Sequence, residues 1–158
     1  MSLQAWRLSK RRYAADAFSG ESPRLYPGRW NPIDVPMVYT SLSLSLAVLE
    51  VFVHMPKAAE PNDYVSVKAD LPVDERSLER VDRDTLPPDW KRVDSPATRE
   101  IGGTWARSLR SLVLLVPSVI IEGEWNALVN PAHPHAQKIQ LTPPKLFQFD
   151  RRMFQPRP

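Results

Sequence analysis

The spacing of apolar residues changes several times along this chain, and each change marks an element. Residues 5–8 predict a short first strand, with Arg7 between Trp6 and Leu8. Residues 14–32 keep no period and carry Gly20, Pro23, Pro27, Gly28 and Pro32, the composition of a structured loop. Residues 35–40 read as a strand, with Pro36 near its start. Serine and leucine alternate over 41–45, but Leu44, Ala47, Val48 and Val51 then fall at i, i+3, i+4 and i+7. This predicts a helix over 43–54, capped by Ser41 or Ser43 and stopped by Pro56. Apolar residues on nearly every face predict an interior helix.

Beyond a loop at 57–63, residues 64–69 alternate, with Val65, Val67 and Ala69 on one face of a strand. Residues 71–90 are polar and proline-bearing and predict a surface crossing with one helical turn near 74–80. Ser95-Pro96 is a helix start, followed by a stripe of Ile101, Trp105 and Leu109 that Gly102 and Gly103 weaken. Residues 111–116 predict a strand covered on both faces and ended by Pro117. Residues 124–129 read as a helical turn leading to Asn130-Pro131, 133–136 as loop and 145–150 as a last strand. The sum is a single α+β domain over residues 1–154, with a frayed tail at 155–158. Its long irregular connections have the character of segments that line a site.

Composition narrows the chemistry. At 158 residues with 42% hydrophobic and 25% charged residues, the chain is of a size and balance for one globular domain. The absence of cysteine removes disulfides, thiol nucleophiles and thiolate metal sites. His133 and His135 lie two apart without a third close ligand, so no metal site is expected. Seventeen prolines against five glycines favour short elements on stiff turns, and neither phosphate-binding glycine fingerprint is present. The basic N-terminal segment has no sustained apolar core, and the longest apolar run, 112–116, is too short to span a bilayer. A net charge of +3 favours anionic partners without naming them.

Candidate chemistry gathers around the stretch 28–52, GRWNPIDVPMVYTSLSLSLAVLEVF. Glu50 interrupts an apolar run, where an ionised carboxylate is costly unless paired. It is either a functional group held against a partner or the one solvent-facing strip of its helix, with His54 a turn further on. Arg29, after Gly28, suits bidentate recognition of phosphate or carboxylate, or is a surface arginine in a turn. Arg7 either snorkels or reaches a ligand. Tyr39 offers a stacking face and a phenol, or packs at the edge of the core. Ser118 follows the core strand without a nucleophile-elbow pattern. Asn126 and Asn130 supply amide hydrogen bonds or cap turns.

In order along the chain, WRLS, GRWNP, VYTS, the helix bearing Glu50, LVLLVPS, the stretch from Asn126 to NPAHP, and FQFD resemble the RES domain, the toxin half of RES–Xre toxin–antitoxin modules. The resemblance covers nearly the whole chain and lies in the ordered set more than in any one motif. It implies a fold like that of ADP-ribosyltransferases, with small twisted sheets and flanking helices, and an enzyme that acts on NAD as substrate with no cofactor required. The implied reaction is hydrolysis or phosphorolysis of the nicotinamide–ribose bond. The alternatives are mono-ADP-ribosylation of a cellular protein and a non-enzymatic binding module. The resemblance matches Glu50, Arg29, Tyr39 and Ser118 to the catalytic set. It matches Arg7, Arg29, Trp30, Tyr39, Ser118 and Asn130 to binding, with Trp30 keeping a flat ring where the family commonly has tyrosine or another aromatic. It further implies a bacterial, cytoplasmic protein neutralised by an Xre-type helix-turn-helix antitoxin, within a larger complex that includes a toxin homodimer, and no direct contact with nucleic acid or membrane.

Overall fold

A nine-residue N-terminal strand, β1 (Ser2–Lys10), runs through the middle of the molecule. The computed structural model describes residues 2–56 and 61–155. After β1, a short 3-10 helix (Arg11–Asp16) and the five-residue helix α1 (Glu21–Leu25) occupy part of the stretch expected to be loop. The strand β2 (Val38–Ser41) leads directly into helix α2 (Leu44–Phe52), whose first turn is capped by Ser43 accepting from the Leu46 N–H at 3.1 Å. The predicted helix is therefore present, but it is not interior. Only Leu46, Ala47 and Val48 are buried, and the remaining positions form a half-exposed face that includes Glu50.

Strand β3 (Tyr64–Pro72) follows the expected alternation, burying Val65, Val67, Ala69 and Leu71 on one face. In place of the helical turn expected near 74–80 there is a short strand, β4 (Leu78–Arg80), preceded by a tight turn in which Asp74 accepts from the Arg76 and Ser77 N–H groups. Helix α3 (Pro96–Ser108) begins at the predicted proline. It ends before Leu109, which takes a left-handed conformation and is exposed rather than completing the stripe of Ile101 and Trp105. Strand β5 (Val113–Pro117) is the expected core strand. Residues 125–129, expected to be helical, form strand β6 (Trp125–Val129). It sits between two other strands, where pairing on both edges overrides the helix-tolerant Ala-Leu composition. A 3-10 turn (Pro134–Lys138), two short strands, β7 (Gln140–Leu141) and β8 (Lys145–Phe147), and a last 3-10 turn (Arg151–Met153) complete the described chain. Part of the loop expected at 57–63 and most of the tail at 155–158 lie outside the described residues.

The strands form one sheet in the order β4-β5-β6-β2-β1-β3-β7, with β8 also on β3. All pairs are antiparallel except β4–β5. Its continuity is uneven. β1 pairs with β3 along all nine residues, but with β2 only at Trp6 opposite Ser41. Two half-sheets thus share a single bridge and diverge beyond it. One core, holding Trp30, Met37, Trp105, Val116 and Leu128, fills the space between α3 and the sheet. A second, holding Ala5, Val38, Leu71, Leu112 and Val129, covers another part of the sheet. A third joins Leu8 and Val48 to an aromatic cluster built on Tyr64 and Phe149. Among the described residues no helix is long and apolar enough to cross a membrane.

Candidate active site

The fork between β1 and β2 opens into a cleft of about 400 Å³, within the roughly 300–1,000 Å³ of ordinary ligand sites. Where a continued ladder would have used the Tyr39 carbonyl, the Arg7 Nη1–H donates to it instead at 2.9 Å. One arginine therefore seals the fork and faces the cleft. Burial lowers the Arg7 pKa, and its Nε–H has no hydrogen-bond partner among the described residues.

The GRWNP turn forms one wall, and Asn31 is its hub. Asn31 is fully buried; its Nδ2 donates to the carbonyls of Pro23 and Val35, while its Oδ1 accepts from the Gly28 N–H and the Tyr39 hydroxyl at 2.9 and 2.6 Å. Tyr39 also accepts from the Trp30 N–H at 3.1 Å. A Cβ on residue 28 would stand 2.6 Å from the Tyr39 hydroxyl, so glycine is required there. Helix α3 presses on the outside of the turn. Thr98 donates to the Arg29 carbonyl, Arg99 to the Gly28 carbonyl, and Gly102 lies directly against the Trp30 carbonyl. With its backbone fixed, Arg29 anchors one guanidinium nitrogen on the Lys91 carbonyl at 3.0 Å, while its Nε–H is left without a partner. Burial lowers the Arg29 pKa, and the Glu50 charge offsets part of that. Burial raises the Tyr39 pKa far above the tyrosine norm, so the group is a neutral phenol over the working pH range.

The opposite wall comes from α2, which points Glu50 into the cleft. Two donors converge on the same oxygen, Oε1: Asn126 Nδ2 at 2.6 Å and Ser118 Oγ at 3.0 Å. Asn126 Oδ1 in turn accepts from Ser41 Oγ at 2.7 Å. Ser118 Oγ also accepts from the N–H groups of Ile120 and Ile121. Glu50 Oε2 takes no hydrogen bond from the described residues. The carboxylate is thus pinned by one oxygen and presents the other. His54 Nδ1 lies 2.7 Å from the Glu50 carbonyl, which can only accept, so the ring carries its hydrogen there.

Arg7, Arg29, Trp30, Tyr39 and Glu50 therefore come together around one cleft, from four separate chain segments. Ser118 does not line it but stands behind Glu50. Asn130 lies elsewhere, buried, donating to the Ala106 carbonyl and accepting from the Ala132 N–H. His133 and His135 are also remote from the cleft, stacked edge to face with ring centroids 5.3 Å apart. Sequence reasoning did not single out Asn31, Thr98 or Arg99, and it gave Asn126 no definite role. For the α3 contacts a signal existed in Gly102-Gly103, read as helix weakness but serving close approach.

The RES domain family matches this chain over residues 4–150. The chain belongs to the RES domain family. Toxin Res of Photorhabdus laumondii is 42% identical over 127 residues, covering 80% of each chain. The Prs ADP-ribosylating toxin of Sphingobium sp. is 38% identical over 160 residues, covering 97% of this chain and 98% of that one. A chain in the crystal structure of the M. tuberculosis MbcT–MbcA toxin–antitoxin complex has the same fold, with a TM-score of 0.72 at 22% identity over 93% of this chain and 85% of that one. The RES fold thus accounts for the mixed sheet and its flanking helices.

Proposed function

We propose that this RES protein is the toxin of a toxin–antitoxin module and breaks the nicotinamide–ribose bond of NAD, with water or inorganic phosphate as acceptor. The observation that carries this reading is the pinned carboxylate of Glu50 in a cleft that also holds Arg7 and Arg29. Two guanidiniums suit the diphosphate of a dinucleotide. One fixed carboxylate suits the positive charge that builds on the ribose as the bond breaks.

In this reaction the C1–N bond electrons move to the pyridinium nitrogen, and nicotinamide leaves neutral without needing an acid. The acceptor oxygen bonds to the same carbon. Water gives ADP-ribose and a released proton; phosphate gives ADP-ribose 1-phosphate. Glu50 Oε2 faces the ribose, Arg7 and Arg29 hold the phosphates, and Tyr39 and Trp30 form the wall against which a ring packs. Ser118 acts through Glu50. The bacterial cytosol, where NAD is plentiful, is the setting for this activity.

The test follows free nicotinamide from NAD with and without phosphate. Steady release is expected, and Glu50→Gln should lower kcat by ~10²–10³-fold with little change in KM. Intact NAD under both conditions, with folded protein, overturns the reading.

A second reading, transfer of ADP-ribose to a protein, is favoured by the name and the near-full-length match of the Sphingobium relative. A mass gain of one ADP-ribosyl group on a cellular protein, in place of free ADP-ribose, separates the two. The partner we propose is an Xre-type helix-turn-helix antitoxin that blocks the cleft, with the toxin dimeric in the complex. The antitoxin in the M. tuberculosis structure supports the pairing only by fold.

A further inference from the structure

Among the described residues, Asn126 and Ser118 are the side chains that hydrogen-bond to the Glu50 carboxylate, and the Asn126 bond is the shorter one, 2.6 against 3.0 Å. An amide has two faces of opposite polarity. Turned the wrong way, Asn126 would place its carbonyl oxygen against the carboxylate, a repulsive contact. The Glu50 carboxylate, which can only accept, decides the matter by taking Nδ2. Oδ1 is then left for Ser41, whose hydroxyl donates to it at 2.7 Å and holds the amide in place from its other side. Ser41 is buried and lies at the bridge between the two half-sheets, opposite Trp6, while Asn126 is its register partner on β6. The relay is therefore built into the backbone pairing, and no flexible segment separates its members.

From this geometry we infer that Ser41 and Asn126 are positioning residues for the reaction, a polarity relay that fixes the Glu50 rotamer and directs Oε2 at the substrate. The inference rests on the NAD-cleaving reading of the same site, but the relay has its own signature. In Asn126→Asp the new carboxyl occupies the same volume and meets Glu50 Oε1 directly. While the pair holds one proton, that proton bridges the two side chains and replaces the lost N–H. Arg29, whose charge faces Glu50 across the cleft, keeps the negative charge on Glu50 and the proton on residue 126. When the last proton leaves, two carboxylates repel at contact and Oε2 loses its aim. Arg7 and His54 also line this cleft, and Tyr39 stays neutral, so the comparison is made against the parent profile, which already contains their contributions.

The experiment measures nicotinamide release against pH for the parent, Asn126→Asp and Ser41→Ala, with the 13C carboxyl resonance of Glu50 followed in each protein without substrate. In Asn126→Asp, kcat should approach the parent value at acidic pH and fall by ~10²-fold as the pH rises, with KM little changed. The Glu50 resonance should show a second, coupled step absent from the parent. Ser41→Ala should lower kcat by ~10-fold at all pH values, because Asn126 Oδ1 loses the donor that anchors the amide, and Ser41→Thr should restore it. A parent-like pH profile in Asn126→Asp together with an uncoupled Glu50 resonance overturns the relay. If the parent leaves NAD intact, the functional reading fails by itself, and the resonance still decides whether Asn126 governs Glu50.

Discussion

Tyr39 joins strand β2 to the GRWNP turn through its hydroxyl, donating to Asn31 and accepting from the Trp30 N–H. Tyr39→Phe keeps the ring that faces the cleft but leaves a buried acceptor and an N–H short of a partner. Such groups cost ~1–3 kcal/mol when stranded. A urea melt of Tyr39→Phe should show a loss of that order, while its pH–rate profile should keep the parent shape, because a phenol so far above its usual pKa does not titrate in the assay range. The candidate residues themselves were legible from the chain: an arginine after glycine and a carboxylate in an oily run are locally odd. Their partners were not. Asn31 and Asn126 are ordinary in sequence, and their importance arises from segments 8 and 76 residues away in the chain.

Helix α3 shows how an element can be read correctly and still be misunderstood. Its start at Pro96 and its buried Trp105 follow from proline at the first helical position and from spacing. Gly102 and Gly103 looked like breaks, yet both are buried against the turn that carries Arg29. Gly102→Ala would drive a methyl group into the Trp30 carbonyl, which is backbone and cannot swing aside. A loss of ~1–3 kcal/mol, as for other overpacked sites, should appear in thermal melts, with a rise in KM as the Arg29 loop is displaced. Strand β6 is the reverse case. Five residues of mixed preference gave no period, and only the flanking strands β2 and β5 make them extended. Misreading β6 as a helical turn also hid Asn126, because its direction toward Glu50 depends on the pleat.

At the scale of the whole molecule, the α+β class was legible, while the number and order of strands were not. Short strands such as β4 and β7 carry too little pattern to be seen. The far side of the fold also carries a pH response separate from the cleft. Burial and the neighbouring His135 hold the His133 pKa below the usual histidine value, and its Nδ1 accepts the His135 N–H, which requires an unprotonated nitrogen. On acidification the unfolded chain takes up this proton before the folded one. Stability from this group is thus complete above the ordinary histidine pKa and is lost as pH falls through the lower folded value. Urea midpoints measured from about pH 7.5 downward should decline through that window, and His133→Gln should flatten the decline.

The single bridge between Trp6 and Ser41 bears on how the protein is made. Strand β1 leaves the ribosome first, but its full-length companion is β3, and the floor beneath Glu50 arrives only with β6. Until residue 126 has been synthesised, the Glu50 carboxylate lacks its Asn126 donor. A nascent chain that stops short of β6 therefore lacks the contact that completes the site, and for the toxin of a toxin–antitoxin module this leaves an interval in which the antidote can be supplied.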